Sequence, residues 1–75
     1  LADADRYESV IARLDIEKAM AKLPEQEREI VSLHLTAELT FGEIADIVGL
    51  SVPSTYRRYR SAIKTLRDEL NGGLL

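Results

Sequence analysis

The stretch Thr40-Phe41-Gly42-Glu43-Ile44-Ala45-Asp46-Ile47-Val48-Gly49-Leu50-Ser51-Val52-Pro53-Ser54-Thr55 decides how this chain folds, because it holds two helix starts with one helix end between them. Thr40 with Glu43 three residues later is the reciprocal pattern in which each side chain satisfies an amide of the other, a capping box. Ile44, Ala45 and Val48 then recur at helical spacing, with Phe41 and Ile47 also expected to face inward. Gly49 sits where a helix end needs a residue that accepts positive φ. Ser51 supplies a side-chain oxygen for the next N-terminus, and Pro53 falls in a first turn, where a missing amide hydrogen costs little. The spacing predicts two helices joined by a tight turn.

The second of these helices is expected from Val52 to about Leu70. Thr55, Tyr59, Ala62, Ile63, Leu66 and Leu70 lie on one face at spacings of three, four and seven, the period of a buried stripe. The other face carries Ser54, Arg57, Arg60, Ser61 and Lys64. A short helix, a Gly turn and a helix with an exposed basic face make a helix-turn-helix, whose second member fits a DNA major groove. Ala45 is small enough to let the two helices approach closely, and a larger side chain there should push them apart.

Upstream, Pro24 starts a helix rich in early acids (Glu25, Glu27, Glu29), which favour the positive end of the helix dipole. Ile30, Val31, Leu33, His34 and Leu35 follow, and this helix should end near Ala37. Before it, the segment from about Ala4 to Lys22 has Tyr7, Val10, Ile11, Leu14, Met20 and Leu23 as apolar positions. It reads as one helix with a bend near Asp15, or as a shorter helix capped by Asp15 and preceded by a tether over residues 1–15. Leu23-Pro24 ends it. At the other end, Asn71-Gly72-Gly73 should stop the last helix, with Leu74-Leu75 trailing.

With 75 residues the chain supports one compact domain, all-α, of four helices with the helix-turn-helix at residues 40–70. Aromatic residues are few, so the core should be aliphatic. The absence of cysteine excludes disulfides and thiolate metal sites, and a single His34 builds no metal site. Neither a metal nor a cofactor is expected. No nucleophile with a base partner and no phosphate-cradling Gly loop occurs, so nothing in the sequence supports an enzyme. Glu25/Glu29 and Asp68/Glu69 read as helix-start and solvated acids, and His34 as structural. No apolar run is long enough to span a bilayer and the start is acidic, which points to a soluble cytoplasmic chain.

A net charge of −3 argues at first against a nucleic-acid partner. Its distribution reverses that argument. Through Leu50 there are eleven acidic residues to five basic ones; from Ser51 onward Arg57, Arg58, Arg60, Lys64 and Arg67 face only Asp68 and Glu69. A basic helix on an acidic body docks by one face and is repelled by DNA elsewhere. Arg57 and Arg60, with Ser54 or Ser61, are placed to read base edges. Arg58, Lys64 and Arg67 suit phosphate contact. Tyr56 either stacks on the DNA backbone or lies along the domain surface, and Tyr59 belongs to the core.

The run Ala19-Met20-Ala21-Lys22-Leu23-Pro24, then Arg28, Leu33, Thr40-Phe41-Gly42-Glu43-Ile44-Ala45 and Val48-Gly49-Leu50-Ser51, resembles the C-terminal region 4 of bacterial RNA polymerase sigma factors. The likeness is to the extracytoplasmic-function type and covers roughly Ile16 to Leu70. Pro53 to Ala62, with Leu66-Arg67 in place, stands in the register of that family's recognition helix. Glu38 replaces its usual turn glycine, Thr55 its buried valine, and Ser61 and Ile63 two basic residues. Arg58 and Ala62 match, so the family's DNA-backbone and close-packing roles carry over to them.

The resemblance implies a promoter-recognition domain in the winged-helix-like DNA-binding class, without wing strands. It implies binding of the minus-35 element by the last helix and docking on the β flap of RNA polymerase core. An anti-sigma factor that covers the same surfaces is a further implied partner, and exposed Leu or Val on the second and third helices would serve docking. Two other readings stand beside it. One is the DNA-binding output domain of a LuxR-type response regulator, though the Thr-Val-Lys and following His of that recognition helix are missing. The other is a helical interaction or adaptor module that does not bind DNA, which the departures at Thr55 and Ser61 leave open.

Overall fold

The computed structural model describes residues 15–74. Four helices run through them: α1 over residues 15–21, α2 Glu25–Leu35, α3 Phe41–Val48 and α4 Val52–Leu74. The described residues contain no strand, and α2, α3 and α4 all pack on one another. The expectations for residues 4–14 and for Leu75 lie outside the described residues. Asp15 is already helical, so it does not stand outside a shorter helix as its cap.

The core is aliphatic, as composition requires. Ala19 and Leu23 from the first segment, Ile30 and Val31 from α2, Ile44 and Ala45 from α3, and Ala62 and Leu66 from α4 are buried. Met20, Tyr59, Ile63 and Leu70 pack partly buried around the end of this core nearest α1. The expected stripe of α4 is therefore the face that is covered. Its one polar member, Thr55, is fully buried. The cost of burying a hydroxyl is offset because Thr55 Oγ1 donates to the Ser51 carbonyl at 2.9 Å, one turn back.

The first chain reversal is closed by Lys22 N–H to the Ala19 carbonyl at 3.1 Å and Leu23 N–H to Met20 at 3.0 Å. Arg28 then reaches back and donates to the Leu23 carbonyl at 3.2 Å. That bond gives the arginine a structural task, satisfying a carbonyl that the end of α1 leaves without a helical partner. Pro24 is the residue before α2, with extended ψ of 149°, and not its first helical residue. α2 ends at Leu35, two residues earlier than expected, and Thr36 N–H closes on the Ser32 carbonyl.

Two further expectations are corrected. Ile47 faces solvent and is 55% exposed, because α3 packs on α2 and α4 with Ile44 and Ala45 as its buried line. α4 does not stop at Asn71-Gly72-Gly73 but continues to Leu74. Glycine inside a helix costs about 1 kcal/mol relative to Ala, a preference that does not by itself end a helix.

Candidate nucleic-acid interface

The position of α4 is set first at its N-terminus. Thr40 Oγ1 accepts from Glu43 N–H at 3.2 Å while Glu43 Oε1 accepts from Thr40 N–H at 3.0 Å, so the capping box that starts α3 is complete. The Thr40 amide first, and second the Thr40 hydroxyl, which donates to the same Glu43 Oε1 at 3.0 Å, hold the Glu43 carboxyl below the usual carboxylate range. At the far end Gly49 is left-handed, with φ of 76°. The Gly49 and Leu50 amides both close on the Ala45 carbonyl, at 2.9 and 3.1 Å. This is the glycine-terminated helix end expected of a residue free of Cβ strain. Ser51 Oγ then accepts from Ser54 N–H at 3.2 Å, and the Ser51 carbonyl accepts from Thr55 N–H at 2.9 Å. Side-chain and backbone bonds of short sequence range thus fix the angle between α3 and α4.

The second anchor lies at the other end of the helix. Lys22 Nζ and Glu69 Oε2 are 2.7 Å apart, tying the end of α1 to α4 across exposed surface. Such a pair is worth at most about 1 kcal/mol, so Leu66 and Leu70 against the first segment hold this end, and the ion pair only adds to them.

Between the anchors, Tyr56, Arg57, Arg58, Arg60, Ser61 and Lys64 are exposed, and Ser54 is half-buried. By helical register Arg57, Arg60, Ser61 and Lys64 lie opposite the buried stripe, while Arg58 and Tyr56 fall on opposite flanks. The structure thus brings all seven sequence-predicted residues onto the outward part of one helix. Two of the cations have partners there. Arg57 Nη2 donates to Ser54 Oγ at 3.2 Å, and the Arg60 guanidinium carbon lies 5.9 Å from the centre of the Tyr56 ring. No acid occurs on α4 before Asp68, so the face keeps its positive field.

A feature that sequence reasoning missed backs this face. His34, Phe41, Tyr56 and Tyr59 form one ring cluster: His34 stacks on Phe41 at 4.4 Å, and Phe41 meets Tyr59 at 5.1 Å and Tyr56 at 5.3 Å, both edge-on. His34 Nδ1 is also 3.0 Å from the Leu39 carbonyl, which fixes the ring in the bend after α2. The histidine is structural, as its sequence context suggested. The signal for the cluster was compositional: all the aromatics after Tyr7 are within it. Among the described residues no group of His, Cys, Asp and Glu is arranged to hold a metal, and no helix is long and apolar enough to cross a membrane.

A capped short helix, a left-handed glycine turn and a long helix with its cationic side outward define a helix-turn-helix of the DNA-binding class. Residues 13–66 match the family model described as Sigma-70, region 4, and the chain belongs to that family. It is accordingly a sigma-factor domain of the kind that recognises promoter DNA and interacts with RNA polymerase, a regulatory rather than a catalytic family. No curated protein and no solved structure gives a significant match to the chain.

Proposed function

We propose that the chain is the promoter-reading domain of an alternative sigma factor of the extracytoplasmic-function type, with α4 entering the major groove of the minus-35 element. The observation that carries this reading is the exposed cationic side of α4, anchored at both ends and free of acids over the part that would meet DNA. Arg57 and Arg60 read base edges, with Ser54 or Ser61 beside them. Arg58 and Lys64 neutralise phosphates and set the register, and Tyr56 lies at the edge of the contact. The whole chain acts as one domain, residues 40–70 being its reading unit, and it works in the cytoplasm.

Docking on the β flap of polymerase falls to the body away from α4. Leu35 and Ile47, on α2 and α3, are each more than half exposed, and the acids around them would keep DNA off that side. An anti-sigma factor would act by covering either surface. The test is selection of bound sequences from a random duplex pool by this chain joined to a flap fragment, at two salt concentrations. A short enriched motif whose affinity falls steeply with salt is the expected result. Flap binding without enrichment would leave an adaptor and remove the base-reading roles.

A further inference from the structure

We infer that Tyr56 is a positioning residue for Arg60: its ring, braced edge-on by Phe41, holds the guanidinium over itself so that the arginine meets DNA already oriented. The inference rests on the promoter-reading role of α4 and adds to it a division of labour within the helix. Tyr56 and Arg60 are four residues apart, the spacing that brings side chains together on a helix. The guanidinium carbon is 5.9 Å from the ring centre, within the range of a cation–π contact.

The ring itself is not a loose surface group. Its plane stands at 83° to that of Phe41 with centroids 5.3 Å apart, and Phe41 is stacked in turn on His34. One line of contacts therefore runs from α2 through the start of α3 to an arginine on the exposed side of α4. Arginine has many rotamers, and holding it beforehand removes part of the ordering cost from the binding step. Arg57 is held differently, by a hydrogen bond to Ser54 on its own helix. The two arginines placed to read bases are thus both restrained, and only Arg60 is restrained through the rest of the domain.

This arrangement needs the face of the Tyr56 ring and not its hydroxyl. Direct contact of Tyr56 with the DNA backbone would need the hydroxyl or an otherwise uncovered ring face. The test uses the 75-residue chain with Tyr56→Phe, Tyr56→Leu, Arg60→Ala and the double variant Tyr56→Leu/Arg60→Ala. In the free chain, the Arg60 δ protons should show an upfield ring-current shift by NMR that survives Tyr56→Phe and disappears in Tyr56→Leu. On the duplex enriched by selection, Tyr56→Leu should weaken binding about 2- to 5-fold, Tyr56→Phe less than about 2-fold, and the double variant no more than Arg60→Ala alone.

Unshifted Arg60 protons in the unaltered chain would overturn the inference without any variant. So would a Tyr56→Leu loss of the same size in the Arg60→Ala background, or a large loss from Tyr56→Phe, which would make Tyr56 a direct contact. If the unaltered chain selects no duplex while the ring shift is present, the promoter reading falls and takes this role with it. Normal selection with Tyr56→Leu binding unchanged removes the positioning role alone.

Discussion

Replacing Glu38 by glycine should stabilise the domain. Glu38 is the one non-glycine residue with positive φ among the described residues, at 59°. It lies in the bend between α2 and α3, where the family resemblance expects glycine. A left-handed conformation costs an L-residue with a Cβ about 1 to 2 kcal/mol, and glycine escapes that cost. Glycine in turn loses more freedom on folding, which returns about 0.4 to 1 kcal/mol to the unfolded chain. Taking the middle of each range, the net gain is about 0.8 kcal/mol, or a rise in Tm of roughly 3 to 6 °C for a domain of this size. Glu38→Ala separates conformation from charge, since it removes the carboxylate and keeps the Cβ, and should not raise stability. Glu38→Asn should fall between the two because Asn tolerates this region of φ. Urea unfolding followed by helix circular dichroism measures all three. Glu38→Gly equal to or below the parent chain would refute the reasoning and mean that the glutamate side chain stabilises the bend by more than its strain.

Further outcomes follow from contacts elsewhere in the domain. Thr40→Ala should cost about 1 kcal/mol in urea unfolding by removing the α3 cap. Glu43 has a folded pKa lowered by its bonds from Thr40, so its contribution is present above the unfolded value and lost as pH falls through the folded one. The stability of the parent chain relative to Glu43→Gln should therefore shrink on acidification below the usual glutamate range, and a constant difference would contradict the carboxylate's role. Thr55→Val should change stability by less than about 1 kcal/mol, because one hydrogen bond is exchanged for apolar burial and the Ser51 carbonyl keeps the Thr55 amide. In DNA binding, Arg57→Ala should lose about 1 to 3 kcal/mol and relax preference at one base pair, whereas Lys64→Ala should weaken all sequences alike and reduce the salt slope by about 1.

What the sequence made legible was what acts over a few residues. The Thr40–Glu43 box, the Gly49 turn and the Ser51 cap each join a side chain or a φ preference to backbone three or four residues away, so spacing alone specifies them. The buried side of α4 was equally plain because its period is regular over several turns. Ile47 was misplaced because α3 has five apolar residues in eight and the sequence cannot say how many sides are covered. The ring cluster escaped notice because residues 34, 41, 56 and 59 meet only after α2, α3 and α4 have packed. Arg57 and Arg60 could be assigned to the outward side, but their partners depend on side-chain conformations that spacing does not encode.

The unusual charge balance gains meaning from the rigidity of α4. A basic helix on a mobile tether would bind DNA in many orientations and its specificity would be diluted by the backbone term, which rewards any approach. Here the helix is fixed at Ser51 by cap and carbonyl bonds and near Leu66 by core packing, so its exposed side has one orientation relative to the acidic body. The body carries Glu25, Glu29, Glu38 and Asp46, all exposed, which would meet phosphate with like charge wherever duplex approached them. On the proposed reading, the net charge of −3 would lower non-specific affinity while the local field on α4 draws duplex to its exposed side. Reversing the acids on the body, for instance Glu25→Lys with Glu29→Lys, should raise affinity for random duplex more than for the selected motif. Equal gains on both would mean that the body and the reading helix meet DNA together, and that the acidic surface does not orient the docking.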